Sequence, residues 1–215
     1  MKYSAFKLHF QHQPYFTHQS LLMLRVPMQT LQNQLRLWER RGDILRLKRG
    51  WYTLADHDRK VVADPLVIAT HMVTPSYVSL EWALSHYGLI PEQARVITSV
   101  TTQKTQGYVT PIATFQYRSI KVQGFGGFVE KKTADGFVYF LATPEKAVVD
   151  FLYYHLSDMD PENTDIFEQS YRFQHLDTLS WDRLFAFAAQ LDSKKLGVIV
   201  AKLQEWVLNS EMEVL

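Results

Sequence analysis

Gln29, Gln32, Asn33, Arg36 and Arg40 fall at i, i+3, i+4, i+7 and i+11, the spacing of one face of an α-helix. Amide and guanidinium groups pair at two points with adenine and guanine edges, so this stripe carries the chemistry of major-groove reading. It holds no carboxylate, whereas a solvated helix face ordinarily mixes Glu with Lys. A merely polar exterior is the plainer alternative. A second basic group, Arg46, Lys48 and Arg49, follows directly and suits phosphate contact. Base readout is assigned to Gln29, Gln32, Asn33 and Arg36, and phosphate or wing contact to Arg40, Arg46, Lys48 and Arg49.

Other chemistry is weaker. His9 and His12 stand three apart with His18 nearby, but no Asp or Glu precedes Glu39, so no metal is assigned. His71, His86 and His155 lie among apolar residues and read as core or interface histidines. Gln123-Gly124-Phe125-Gly126-Gly127-Phe128 lacks the Lys-Ser/Thr ending of a phosphate loop and reads as a flexible strand connection. Glu145, Lys146 and Asp150 suggest a nuclease-like acid–lysine cluster. The plainer account is a helix start: Thr143 caps, Pro144 begins, and Glu145 meets the dipole. Glu145 and Asp150 are also about 500° apart around a helix, on different faces. The chain has no cysteine, which removes thiol nucleophiles, disulfides and iron–sulfur clusters together. No catalytic residue and no cofactor is assigned.

The elements that must hold the two basic groups follow from local signals. Residues 3–11 form a first helix with Tyr3, Phe6, Leu8 and Phe10 as its apolar contacts. Thr17 caps a helix of about two turns through Leu24. Pro27 leads into a helix from Met28 to Arg41, whose Leu31, Leu35 and Trp38 make a buried stripe, and Gly42 ends it. Leu45 and Leu47 then alternate with Arg46 and Lys48 in a strand, and Gly50 turns the chain into a second one. A helix pair followed by a basic hairpin is the plan of a winged helix-turn-helix. Residues 55–64 read as a linker. Beyond it, Asp64 and Ser79 each cap a helix, the first with Leu66, Ala69 and Val73 on one face, and Gly88 stops the second. Strands are predicted at Arg95–Thr102, Ile112–Val122, Phe128–Lys131 and Phe137–Ala142, the last pair joined at Asp135-Gly136. A helix follows from Pro144, with Val148, Phe151 and Leu152 inward. Residues 157–182 read as an acidic, loop-rich connection before helices at Trp181–Leu191 and after Ser193.

Charge gives the domains their meaning. The total of 23 Lys+Arg against 22 Asp+Glu is nearly balanced, yet residues 1–60 carry 11 against 4 and the rest carry 12 against 18. The chain of 215 residues, with 47% hydrophobic and 13% aromatic content, can bury a sizeable core. The fold class is α+β: an N-terminal winged helix-turn-helix over 1–60, then a mixed α/β domain over 61–215 ending in helices. No apolar run approaches the roughly 18 residues of a membrane span, and the N-terminus lacks the apolar stretch of a secretory signal. A cytoplasmic location is expected.

Four stretches in series also resemble a known family. They are the helix-turn-helix running into Arg41-Gly42-Asp43-Ile44-Leu45-Arg46-Leu47-Lys48-Arg49-Gly50-Trp51-Tyr52, then Pro75-Ser76-Tyr77-Val78-Ser79-Leu80-Glu81-Trp82-Ala83-Leu84 with His86-Tyr87-Gly88-Leu89-Ile90-Pro91, then Ser99-Val100-Thr101-Thr102, and finally Ala142-Thr143-Pro144-Glu145-Lys146-Ala147-Val148-Val149-Asp150. Over about residues 17 to 156 the chain resembles the AbiEi-type antitoxins of type IV toxin–antitoxin (abortive infection) systems. The resemblance implies a non-enzymatic autorepressor that binds inverted repeats of double-stranded DNA at its own promoter. It also implies a functional partner, a nucleotidyltransferase toxin, countered through the C-terminal domain. Val26-Pro27-Met28 departs from the family in lacking a Ser or Thr cap. Two other readings stand beside this one: a ligand-responsive winged-helix regulator, and a nucleic-acid-processing enzyme.

Overall fold

Aromatic rings build the core of the basic N-terminal stretch. In this computed structural model, which describes the backbone of residues 1–213 and the side chains of residues 1–209, helix α1 (Tyr3–Phe10) buries Phe6 and Phe10. Leu8 does not join them and is 65% exposed. Two residues from each Phe, it points about 200° away around the helix. The short strand β1 (Phe16–Thr17) and helix α2 (His18–Leu22) follow, with α2 ending before the expected Leu24. Thr17 caps α2 reciprocally: its hydroxyl accepts from the Ser20 amide at 3.3 Å, and the Ser20 hydroxyl accepts from the Thr17 amide at 3.2 Å.

Helix α3 (Met28–Arg41) has the expected bounds, with Pro27 before it and Gly42 after it in the left-handed region at φ 78°. Leu31, Leu35 and Trp38 are buried against Phe6, Phe10, Phe16, Leu21, Ile44 and Leu54. Strands β2 (Ile44–Lys48) and β3 (Trp51–Leu54) form a hairpin, and β1 adds to its far side in the order β1-β3-β2. The hairpin is not regular. Its register shifts between Arg46 and Lys48, leaving Leu47 as a bulge.

Residues 55–64 do not behave as a free linker. Asp58 is buried and accepts from Lys7 Nζ and from the Tyr3 hydroxyl, both at 2.7 Å, which ties the segment back onto α1. Asp64 then caps α4 (Pro65–Met72) through the amides of Leu66 and Val67. This helix buries Val67, Ile68, Ala69, Thr70 and Met72; of the three residues expected on its inner face, Ala69 is one of these, Val73 is buried just past the helix end, and Leu66 is only half-buried.

The remaining elements are β4 (Ser76–Val78), α5 (Leu80–His86), β5 (Val96–Thr101), β6 (Gln106–Val109), β7 (Thr114–Ser119), β8 (Phe128–Lys132), β9 (Val138–Ala142), α6 (Pro144–Tyr154), α7 (Trp181–Gln190) and α8 (Lys194–Glu213). The strands make one mixed sheet in the order β6-β7-β5-β4-β9-β8. Strands β4 with β9 and β5 with β7 are parallel, and the other neighbours are antiparallel. Gly88, at φ 68°, ends the turn after α5, and Gly136, at φ 81°, shapes the turn between β8 and β9. Helix α6 packs against α5, α7 and α8. The acidic stretch before α7 is loop-rich as expected, yet it sends Phe167, Phe173 and Leu176 into the core. On α8, Leu196, Ile199, Val200, Leu203 and Val207 are all buried. The chain is thus a mixed α+β protein with two sheets. Among the described residues no helix is long and apolar enough to cross a membrane.

Candidate nucleic-acid interface

Helix α3 presents Gln29, Asn33, Arg36 and Arg40 as exposed side chains, with Gln32 half-buried. The buried Leu31, Leu35 and Trp38 fix that orientation, because the polar stripe lies on the other side of the same helix. Strand β2 and the turn at Gly50, which stands at φ 77°, bring Arg46 and Arg49 alongside. Between helix and hairpin lies a cleft of about 310 Å³ lined by His18, Gln32, Leu35, Arg36, Glu39, Arg46, Arg49, Gly50 and Tyr52. Four of the eight sequence-derived residues therefore converge: Gln32 and Arg36 from the readout set, Arg46 and Arg49 from the phosphate set. Gln29, Asn33 and Arg40 sit on the same helix outside the cleft lining.

Among the described residues, none of these seven side chains makes a hydrogen bond or ion pair within the protein. Their neighbours differ. Lys7 is paired with Asp58, Arg59 with Asp56, and Gln34 with both the amino group and the carbonyl of Met1. Guanidinium groups left unpaired beside one another keep their full donor sets for an external acceptor.

Lys48 is placed elsewhere. Its ammonium donates to the Met72 carbonyl and stands 5.3 Å from the ring centres of both Trp51 and Tyr108. The bulge at Leu47 breaks the alternation on which the sequence reading of this strand relied: Leu47 is buried, and Lys48 turns toward the larger sheet.

Besides Leu35 of the buried stripe and the turn residue Gly50, three cleft residues lie outside the sequence-derived set. Tyr52 is the cross-strand partner of Arg46, a placement that follows from a hairpin centred on Gly50. His18 arrives through β1, where its amide donates to the Gly50 carbonyl at 2.8 Å, and no local signal announces that pairing. Glu39 lies one turn beyond Leu35 and introduces the only carboxylate of the lining.

The acid–lysine cluster has a different character. Lys146 and Asp150 are fully buried and bonded to each other, and Asp150 also accepts from Ser79 Oγ at 2.8 Å and the Tyr77 hydroxyl at 3.0 Å. Burial pushes the Asp150 carboxyl up, with Lys146 acting against it. Ser79 stands before α5 but does not cap it, since its hydroxyl is committed to Asp150. Glu145 pairs instead with Arg183 at 3.2 Å. The glycine-rich segment covers this network tightly and is no loose connection: Phe125 and Phe128 pack on Tyr77 at 5.2 and 4.8 Å. A phosphate loop offers free amides at an open surface, which this packing does not.

The histidines are dispersed. His9, His12 and His18 are exposed, His86 stacks on Trp82 at 5.3 Å, and His71 Nδ1 lies 2.9 Å from the Val67 carbonyl. His155 lies 3.5 Å from both Glu81 and Asp158; Glu81 raises its pKa above the ordinary value, with burial opposing. Among the described residues, no group of three or more His, Asp or Glu is arranged to hold a metal ion. No family model matches this chain, and a search among curated proteins gives no match either.

Proposed function

We propose that the chain is a double-stranded DNA-binding repressor whose N-terminal part is a winged helix-turn-helix. The observation that carries this is the cleft where Gln32 and Arg36 of α3 meet Arg46 and Arg49 of the hairpin, without partners among the described residues. The element order α1-β1-α2-α3-β2-β3, with sheet order β1-β3-β2, supports the winged-helix plan. Helix α3 would lie in the major groove, with Gln29, Gln32, Asn33 and Arg36 on base edges. Arg40, Arg46 and Arg49 would meet phosphates. The resemblance to AbiEi-type antitoxins extends the proposal: a cytoplasmic, non-enzymatic autorepressor, binding inverted repeats at its own promoter and countering a nucleotidyltransferase toxin.

The test is a set of binding isotherms on the duplex upstream of the gene and on a scrambled duplex. Arg36→Ala is expected to weaken the first by about 1–3 kcal/mol and the second much less. Arg49→Ala is expected to weaken both alike, because a phosphate contact carries no sequence information. Unchanged binding in both variants would overturn the proposal.

A second reading has its own observation. A pocket of about 340 Å³ lies between the two parts, lined by Gln13, Pro14, Tyr15, Ser20, Val67, His71, Phe137 and Val138. A mostly apolar cleft touching both α2 and α4 favours a regulator whose DNA affinity answers a small molecule.

A further inference from the structure

Lys48 is the wing cation that the fold turns inward, and its surroundings are built for an ammonium. Met72 is the last residue of α4, where carbonyls lack helical partners and the dipole is negative. Lys48 donates to that carbonyl and stands over two ring faces, Trp51 of its own hairpin and Tyr108 of β6. Trp51 is itself held by Tyr15, stacked at 4.6 Å. Leu47, next in sequence, is 4% exposed within the core formed by the six-stranded sheet and its helices. Burial pushes the Lys48 ammonium below its ordinary pKa, in keeping with a group removed from water.

We propose that Lys48 is a latch. It locks the β2–β3 hairpin onto the end of α4 and the edge strand β6, and so fixes where Arg46 and Arg49 point, without touching DNA itself. A lysine reaching for phosphate would have to leave one carbonyl and two rings, whereas Arg46 and Arg49 have no partner to leave among the described residues. The α/β part thereby sets the geometry of the DNA-reading surface. The latch is a positioning device, and its consequence for DNA rests on the reading given above.

Two measurements test it. The chain has no cysteine, so Met23→Cys and Val122→Cys, at positions 72% and 73% exposed, accept a pair of spin labels for distance measurement. Lys48→Met keeps the aliphatic stem, which guards the fold, and is expected to broaden the distance distribution between the labels. The second measurement is the salt dependence of binding to a scrambled duplex. Lys48→Met is expected to leave the log–log slope unchanged, because a released hairpin still brings Arg46 and Arg49 to the phosphates of a scrambled duplex, whereas Arg49→Ala should lower its magnitude by about 0.9, the loss of one phosphate contact. A distribution as narrow as the parent's overturns the latch. So does a slope that falls as it does for Arg49→Ala. If the parent binds no duplex at all, the DNA reading fails, and the label distances alone decide the latch.

Discussion

A carboxylate and an ammonium buried together gain their attraction only by giving up hydration, so the geometry around them decides the balance. Asp150 has a full set of partners, accepting from Lys146, Ser79 and Tyr77. Removing one member leaves the other charge without compensation in a closed core. Lys146→Met and Asp150→Asn are each expected to lower the unfolding free energy by about 3–5 kcal/mol. Combining Lys146→Met with Asp150→Leu should cost less than the sum of the single effects, because no buried charge then remains. Urea unfolding followed by circular dichroism checks both, and additive losses would show that the two groups act independently. This network was only half legible in the sequence. Lys146 and Asp150 stand i and i+4 on a helix, a spacing that announces a pair. Ser79 has the local signature of a cap, Ser before an apolar run, and its competing acceptor lies 71 residues away in the chain.

Elements were legible in proportion to their length. The apolar stripes of α3 and α8 repeat over several turns and place their buried residues directly. Strands β1, β4 and β6 have 2, 3 and 4 residues, too few for a period of two to show, and the sequence reading misses all three. The bulge at Leu47 is invisible for a related reason: one extra residue changes which face follows it, and nothing local marks the change. The segment from Gly124 to Phe128 shows how packing gives a different meaning to glycine. At Gly127, φ is 72°, and a β-carbon would stand 2.7 Å from the Phe187 ring and 2.9 Å from Lys146 Cγ. At Gly136, φ is 81°, but the space is open. Gly136→Ala should therefore cost about 1–2 kcal/mol from backbone strain alone. Gly127→Ala should cost more, since it adds a clash against the buried network. Thermal and urea unfolding of the two variants side by side check this, and equal losses would mean that Phe187 and Lys146 yield freely.

For the molecule as a whole, the division of charge at residue 60 separates a basic surface from an acidic remainder, while contacts across the same boundary join them. The aromatic core around Trp38 and the larger core around the six-stranded sheet are distinct clusters, and Leu47 belongs to the second although its strand pairs within the first. Tyr15 against the His71 ring at 5.8 Å and Lys48 on Met72 and Tyr108 cross the same seam. Two cores joined this way should unfold as one cooperative unit, provided that the seam is strong compared with the stability of the smaller core. Leu47→Ala tests the condition directly. Removing a side chain of this size from a closed core costs about 2–5 kcal/mol, and here the loss falls on the seam itself. In the parent chain, tryptophan fluorescence and far-ultraviolet circular dichroism are expected to report one coincident urea transition. In Leu47→Ala the transitions should separate, with the part containing Trp38 melting first, because its core is the smaller and holds fewer buried groups. Coincident transitions at a lower midpoint would instead show that the seam holds without Leu47, through the Tyr15–His71 ring contact and the lysine.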